Sequence, residues 1–243
     1  MRVLSVYGRI YADCLRQALL GIRKNIWTLF LPPLLLVAWS YAGTLVGILG
    51  LGGNILGGIV LTLAIAALLS CYLYFLGEVV AKSKVRVDEF RKSIGAYFWS
   101  VVNLSFVVWV AGLVLDLVVG KSPQADVFKT LFDLAVIILL NAAPEVIYQR
   151  GTRGGLETVQ RSIQFLQANW IEWALPTGLP IAIALYFPLR EFAAYGLPGY
   201  AVGILVEGAL LHLAMVFRGQ LFAALDGTSH RQRMYRWRSS GSA

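Results

Sequence analysis

AAPEVIYQRGTRGGLETVQRSIQFLQANWIEWALP, residues 142–176, starts as the end of one apolar run and finishes as the beginning of another. Between the two lie Pro144-Glu145, the arginines Arg150, Arg153 and Arg161, and a stripe of Leu156, Val159, Ile163 and Leu166 at helical spacing. A basic amphipathic helix set between two greasy runs suits a chain that leaves a bilayer, rests at the headgroups and re-enters. The composition agrees. Of 243 residues, 58% are hydrophobic and 14% charged, and the mean hydropathy is +0.69. That is too little polar surface for a soluble domain of this size, whereas lipid solvates apolar side chains without difficulty.

A helical span needs about 20 mostly apolar residues. Six stretches qualify: roughly 26–49, 55–80, 98–119, 128–148, 170–189 and 198–222. The expected fold is therefore all-α: a polytopic membrane domain over 1–225 with interfacial amphipathic helices, followed by a basic tail, 226–243. About 25 mixed residues precede the first run and further spans follow it, so it does not read as a cleavable signal peptide. With six spans, both termini share one side. That side collects 18 of the 21 Lys and Arg residues; Lys121, Lys129 and Arg190 are left on the other. Such an imbalance places both termini in the cytoplasm. In the tail, Arg231, Arg233, Arg236 and Arg238 alternate with Tyr235 and Trp237, a pattern suited to anionic headgroups rather than to nucleic acid.

The amphipathic stripe recurs. Val87, Phe90, Ile94 and Tyr97 repeat its spacing, with Lys92-Ser93-Ile94 matching Arg161-Ser162-Ile163. Ala12, Leu15, Ala18 or Leu19, and Ile22 form a third stripe. GIRKNIWTLFLPP (21–33) sets against FLQANWIEWALPT (165–177), placing Asn25 on Asn169 and Pro32 on Pro176. The implied unit is an amphipathic helix followed by a helical hairpin, used three times.

Pro144 closing the fourth span, the glycine-to-serine spacing from Gly155 to Ser162, and Asn169 before the fifth span together resemble a group of poorly characterised bacterial six-span membrane proteins. That group includes the membrane domain of some glycerophosphodiester phosphodiesterases. The likeness covers 150–240, and the catalytic domain of those enzymes is absent from this sequence. It implies architecture and a bacterial cytoplasmic (inner) membrane. Glu157, Ser162, Leu175 and Pro176 also resemble part of the coupling loop of ABC permeases, without its Ala-Ala and glycine.

Ionisable groups inside spans are costly and face the bundle interior or a cavity. Glu207 lies near the middle of the sixth span, and Arg218, eleven residues on, returns to nearly the same face. Too far apart to pair, the two are placed to line one seam. Asn141 and Glu145 share a face beside Pro144, which frees the carbonyl of Leu140 for a neighbouring helix or water. Two readings stand: a proton or ion relay through Glu207, Glu145 and Asn141, or buried polar contacts that fix helix register. Glu78 and Glu172, near the cytoplasmic ends, are placed to pair with basic neighbours. His212 faces away from Glu207, and a haem would want a second spanning histidine, whereas His230 is in the tail. The pairs Gly43/Gly47, Gly53/Gly57 and Gly199/Gly203 each read G-x-x-x-G, which lets helices approach closely, within the bundle or against a partner. Prolines at 32, 33, 176, 180 and 188 predict kinks in spans one and five.

Cys14 and Cys71 have no metal or disulfide spacing, and no H-E-x-x-H, G-x-S-x-G or Walker motif occurs. The sequence thus points to a protein without a cofactor, metal or enzymatic activity. It reads as a non-catalytic subunit or scaffold of a larger membrane assembly, with anionic lipid and other subunits as partners. A permease component, such as the membrane half of an ABC-type exporter, is the competing reading.

Overall fold

A computed structural model describes residues 2–48, 55–81, 84–120, 122–187 and 189–228. Every regular element of the described chain is a helix, because a backbone in hydrocarbon must satisfy its N–H and C=O groups within itself. The amphipathic α1 (Arg2–Lys24) ends on Arg23 and Lys24, cations that suit a helix C-terminus. After Asn25 comes a 3₁₀ turn, Ile26–Phe30, and then α2 (Leu31–Ile48), whose Pro32 and Pro33 sit in the first turn, where a missing N–H costs nothing. The hairpin closes with α3 (Ile55–Val80).

The second unit has a short α4 (Phe90–Ala96), then α5 (Phe98–Val119), then a span in two pieces, α6 (Ala125–Leu139) and α7 (Ala143–Arg150). Gly151, at φ 67°, ends α7 in the left-handed conformation and donates its N–H to Ile147 O at 3.1 Å. The third unit runs through α8 (Gly155–Tyr186), the short α9 (Leu189–Ala193) and α10 (Gly196–Leu225). Six helices are long and apolar enough to cross a membrane: Ile26–Leu45, Leu56–Val80, Phe90–Val119, Ala125–Arg150, Gly155–Ala193 and Gly196–Leu225. The protein is an all-α, multi-pass membrane protein. Spans three and five begin earlier than expected, because each runs directly out of the amphipathic helix before it.

Helix breaks fall at Asn25 and Asn169, and none falls at Pro176 or Pro180; Pro188 lies outside the described residues. Inside α8 the non-helical residue is Asn169 (φ −136°, ψ 22°), seven positions before Pro176. Its counterpart Asn25 has φ −133° and ψ 47°. Both are buried, and each donates Nδ2 to the carbonyl four residues back, Gly21 O at 3.2 Å and Phe165 O at 2.9 Å. Pro176 still leaves a mark: it cannot donate to Glu172 O, and the Tyr11 hydroxyl of α1 fills that carbonyl at 2.8 Å. At Pro144 the expectation needs correcting. Leu140 O accepts Ala143 N–H at 2.9 Å in a tight turn, and the carbonyl released to a neighbour is that of Asn141.

The helix faces also differ from the expected stripes. In α1 the buried line is Ile10, Cys14, Ala18 and Ile22, while Leu15 and Leu19 are exposed. In α8 it is Gly155, Thr158, Ser162 and Phe165, while Leu156 is exposed. Lipid is as apolar as leucine, so small residues take the close contacts and large ones can be left to the bilayer.

Candidate functional site

The break between α6 and α7 turns the Asn141 carbonyl toward α10, and Arg218 meets it there. Arg218 Nη2 donates to Asn141 O at 2.6 Å and to Glu145 Oε2 at 3.1 Å, and Nε donates to Glu145 Oε1 at 2.9 Å. The guanidinium carbon lies 5.0 Å from the centroid of the Trp173 ring, and Trp173 Nε1 donates to Asn141 Oδ1 at 3.0 Å. Glu145 is 0% and Arg218 4% exposed. A forked, two-point pair is the arrangement that makes a buried charge tolerable, since each partner answers the other's desolvation. Three spans are joined by it: four, five and six.

A second polar contact ties span six to spans one and two. His212, fully buried, has Nε2 at 3.0 Å from Thr28 Oγ1 and Nδ1 at 3.3 Å from the Tyr72 hydroxyl. Thr28 spends its only proton on Asn25 O at 2.7 Å, so towards the imidazole it accepts. His212 therefore carries its proton on Nε2, and Nδ1 is left to accept from Tyr72. Around these, backbone carbonyls are gathered by side chains of other helices. Gln149 Nε2 donates to Gly219 O at 2.8 Å, Gln220 Nε2 to Val80 O at 2.7 Å, and Tyr97 Oη to Tyr148 O at 3.3 Å. Arg150 pairs with Asp226 and lies over the Phe222 ring.

Of the four intramembrane residues singled out from the sequence, the fold brings Asn141, Glu145 and Arg218 together. Glu207 is set apart: eleven residues up α10 is about 16 Å at 1.5 Å per residue, and no contact links it to that group among the described residues. The glycine pairs fare unevenly. A Cβ at Gly43 or Gly47 would meet nothing among the described residues, and the described side chains in the C-terminal half of α2 are largely exposed. Gly199 abuts Phe192 O and Tyr195 in the preceding turn, not another span, while Gly57 and Gly203 are buried. The close helix approaches lie instead at Gly208, against Pro33 of α2, and at Gly219, against Tyr148 and Val80. Gly53 and the tail residues Arg231, Arg233, Arg236, Trp237 and Arg238 lie outside the described residues.

On α1, outside the spans, burial is the main cause that raises the Tyr11 hydroxyl, with the Glu172 charge second. Burial, helped by Asp13, pushes the Cys14 thiol up to about 11. Sequence reasoning missed Tyr72, Trp173 and the role of His212. The signals available were the carbonyls that prolines leave open and the rule that opposite intramembrane charges seek each other. No family model matches the chain, and no curated protein or solved structure matches it.

Proposed function

We propose that this chain is a non-catalytic, multi-pass subunit of a larger assembly in the bacterial cytoplasmic membrane, a scaffold with both termini in the cytoplasm. The observation that carries the reading is that the buried Glu145–Arg218 pair and the His212 imidazole are each held by partners inside the bundle. Both oxygens of Glu145 accept from Arg218, whose Nη2 also donates to the Asn141 carbonyl, and His212 is held at both nitrogens. A relay or substrate site needs a carboxylate with an open valence; this one acts as a clamp. The basic end supplies the surface for partners. On α1, Leu15, Leu19 and Leu20 beside Arg16 and Arg23 line a shallow hollow of about 410 Å³, with alkyl chains for lipid tails and guanidinium groups at phosphate depth.

Extraction from native membranes in mild detergent tests the reading. The chain is expected to migrate with other polypeptides, and a homogeneous preparation of this chain alone overturns the proposal. Orientation is tested by single cysteines placed at positions 52 and 235, expected to label from opposite faces of sealed vesicles. Glu207→Gln is expected to leave the assembly unchanged. If it abolishes solute flux across those vesicles, the permease reading replaces this one.

A further inference from the structure

Three spans turn at one surface of the bundle. Span four ends at Arg150, α8 breaks at Asn169, and the chain leaves span six at Asp226. The three residues line one open cavity of about 360 Å³, with Gln164 as a further polar group and Phe165 and Leu225 as apolar lining. Spans end where hydrocarbon gives way to headgroups, so the cavity lies at headgroup depth.

Asn169 and Asn25 share a non-helical backbone conformation and an Nδ2 bond to the carbonyl four residues back. Their oxygens differ. Asn25 Oδ1 accepts the backbone N–H of Val85 at 2.9 Å. Asn169 is 4% exposed, and its Oδ1 meets no donor among the described residues. A buried amide oxygen without a donor is costly, and most such atoms in folded proteins are paired.

The rest of the cavity narrows the ligand. Arg150 gives Nε and Nη2 to Asp226, so the two charges balance, and among the described residues Nη1 is left to donate. A simple anion would answer Arg150 and leave Asn169 Oδ1 without a donor. A quaternary ammonium has no N–H to give. A phosphate joined to a primary ammonium answers both groups and adds no net charge. We propose that the cavity binds a phosphatidylethanolamine headgroup, its ammonium donating to Asn169 Oδ1 and its phosphate accepting from Arg150 Nη1. The inference is independent of the scaffold reading, since a permease would carry the same lipid site.

The test uses the full chain, purified in mild detergent with any accompanying subunits and stripped of lipid. One phospholipid at a time is added, and binding is read by native mass spectrometry. Phosphatidylethanolamine is expected to bind about ten-fold more tightly than phosphatidylcholine with the same acyl chains. Across the N-methyl and N,N-dimethyl lipids between them, the largest drop is expected at the third methyl, which removes the last N–H. Asn169→Ala is expected to abolish the preference. Asn169→Asp loses the Nδ2 bond equally but keeps an acceptor, and is expected to retain it, which separates the acceptor from damage to the elbow. Glycerophosphoethanolamine, a headgroup without acyl chains, is expected to compete poorly. Equal binding of the two lipids, a preference for phosphatidylglycerol, or no retained lipid, as for a cavity filled by water alone, overturns the proposal. So does equal behaviour of the two Asn169 variants, or full competition by the soluble headgroup, which assigns the cavity to a soluble amine.

Discussion

The two ends of the bundle are built differently. In α3, the stretch from Ser70 to Val79 holds the fully buried Phe75 and Leu76, whereas Leu56, Ile59, Val60 and Leu63 are exposed. In α10, His212, Val216, Leu221 and Phe222 are buried, whereas Leu197, Val202, Leu205 and Val206 are not. The amphipathic helices, the loops after spans two and four and the polar contacts all gather at the buried end. At the other end, a described charge contact is the exposed pair Lys129–Asp116, at 2.9 Å. The contrast teaches where cohesion comes from in lipid. Apolar side chains gain little by leaving acyl chains for one another, so helices are held where polar groups and close backbone contacts can be made.

Breaking the charged clamp is the strongest test of that difference. Arg218→Ala leaves Glu145 buried and unanswered, and removing one partner of a buried pair costs about 3–5 kcal/mol. The double variant Glu145→Gln with Arg218→Met removes both charges and is expected to recover most of the loss. Thermal unfolding in lipid nanodiscs measures both. Equal losses in single and double variants would falsify the clamp as a charge-pairing device.

Glycine substitutions compare the ends directly. Gly219→Ala pushes a methyl into Tyr148 and Val80, and Gly208→Ala into the Pro33 ring; overpacking of this kind costs about 1–3 kcal/mol. Gly43→Ala and Gly47→Ala meet open space and are expected to change monomer stability by less than about 0.5 kcal/mol. The same nanodisc melts measure these. Comparable destabilisation at the two ends would mean that the C-terminal half of α2 is packed after all.

How much of this was legible beforehand follows from the same physics. Span number and helical class were readable because lipid thickness demands long apolar runs. The likeness between the first and third units was readable because Asn25 and Asn169 sit in matching words, and both take the same non-helical conformation. The inward faces were not, since the hydrophobic stripe that points to a core in water can point to lipid here; Leu156 and Leu15 are outside, while Ser162 and Ala18 are inside. Glu145 and Arg218 were each picked out, but Arg218 was set against Glu207 on its own helix. Its true partner lies across the bundle, where only the break at Asn141 brings α7 to α10.

Single hydrogen bonds should be felt less. Tyr72→Phe and Tyr11→Phe each remove one donor at the packed end, from His212 Nδ1 and from the carbonyl that Pro176 leaves open. In membrane proteins such bonds contribute about 0.6 kcal/mol on average, with a maximum near 1.7. The Tyr11 variant is expected at the upper end, because its loss leaves a buried backbone carbonyl bare. A loss at Tyr72 larger than at Tyr11 would point to the imidazole, not the helix break, as the more demanding group.

The smallest effect belongs to α1, where packed and lipid-facing sides meet within one turn. Cys14 is buried and its neighbour Leu15 is exposed. Because burial and then Asp13 raise the thiol to about 11 from 9.0, the unfolded chain ionises first as pH climbs. The contribution of this group to stability is therefore fully present below pH 9 and is lost as pH rises through about 11. In a Cys71→Ala background at pH 8, maleimide is expected to modify Cys14 slowly. A cysteine placed at Leu15, with Cys14→Ala, is expected to react quickly, as the thiolate is the reactive form and access is open. Equal rates would mean that α1 is not docked on α10 in the membrane, and the packed end would then lose the helix whose Tyr11 closes the gap at Pro176.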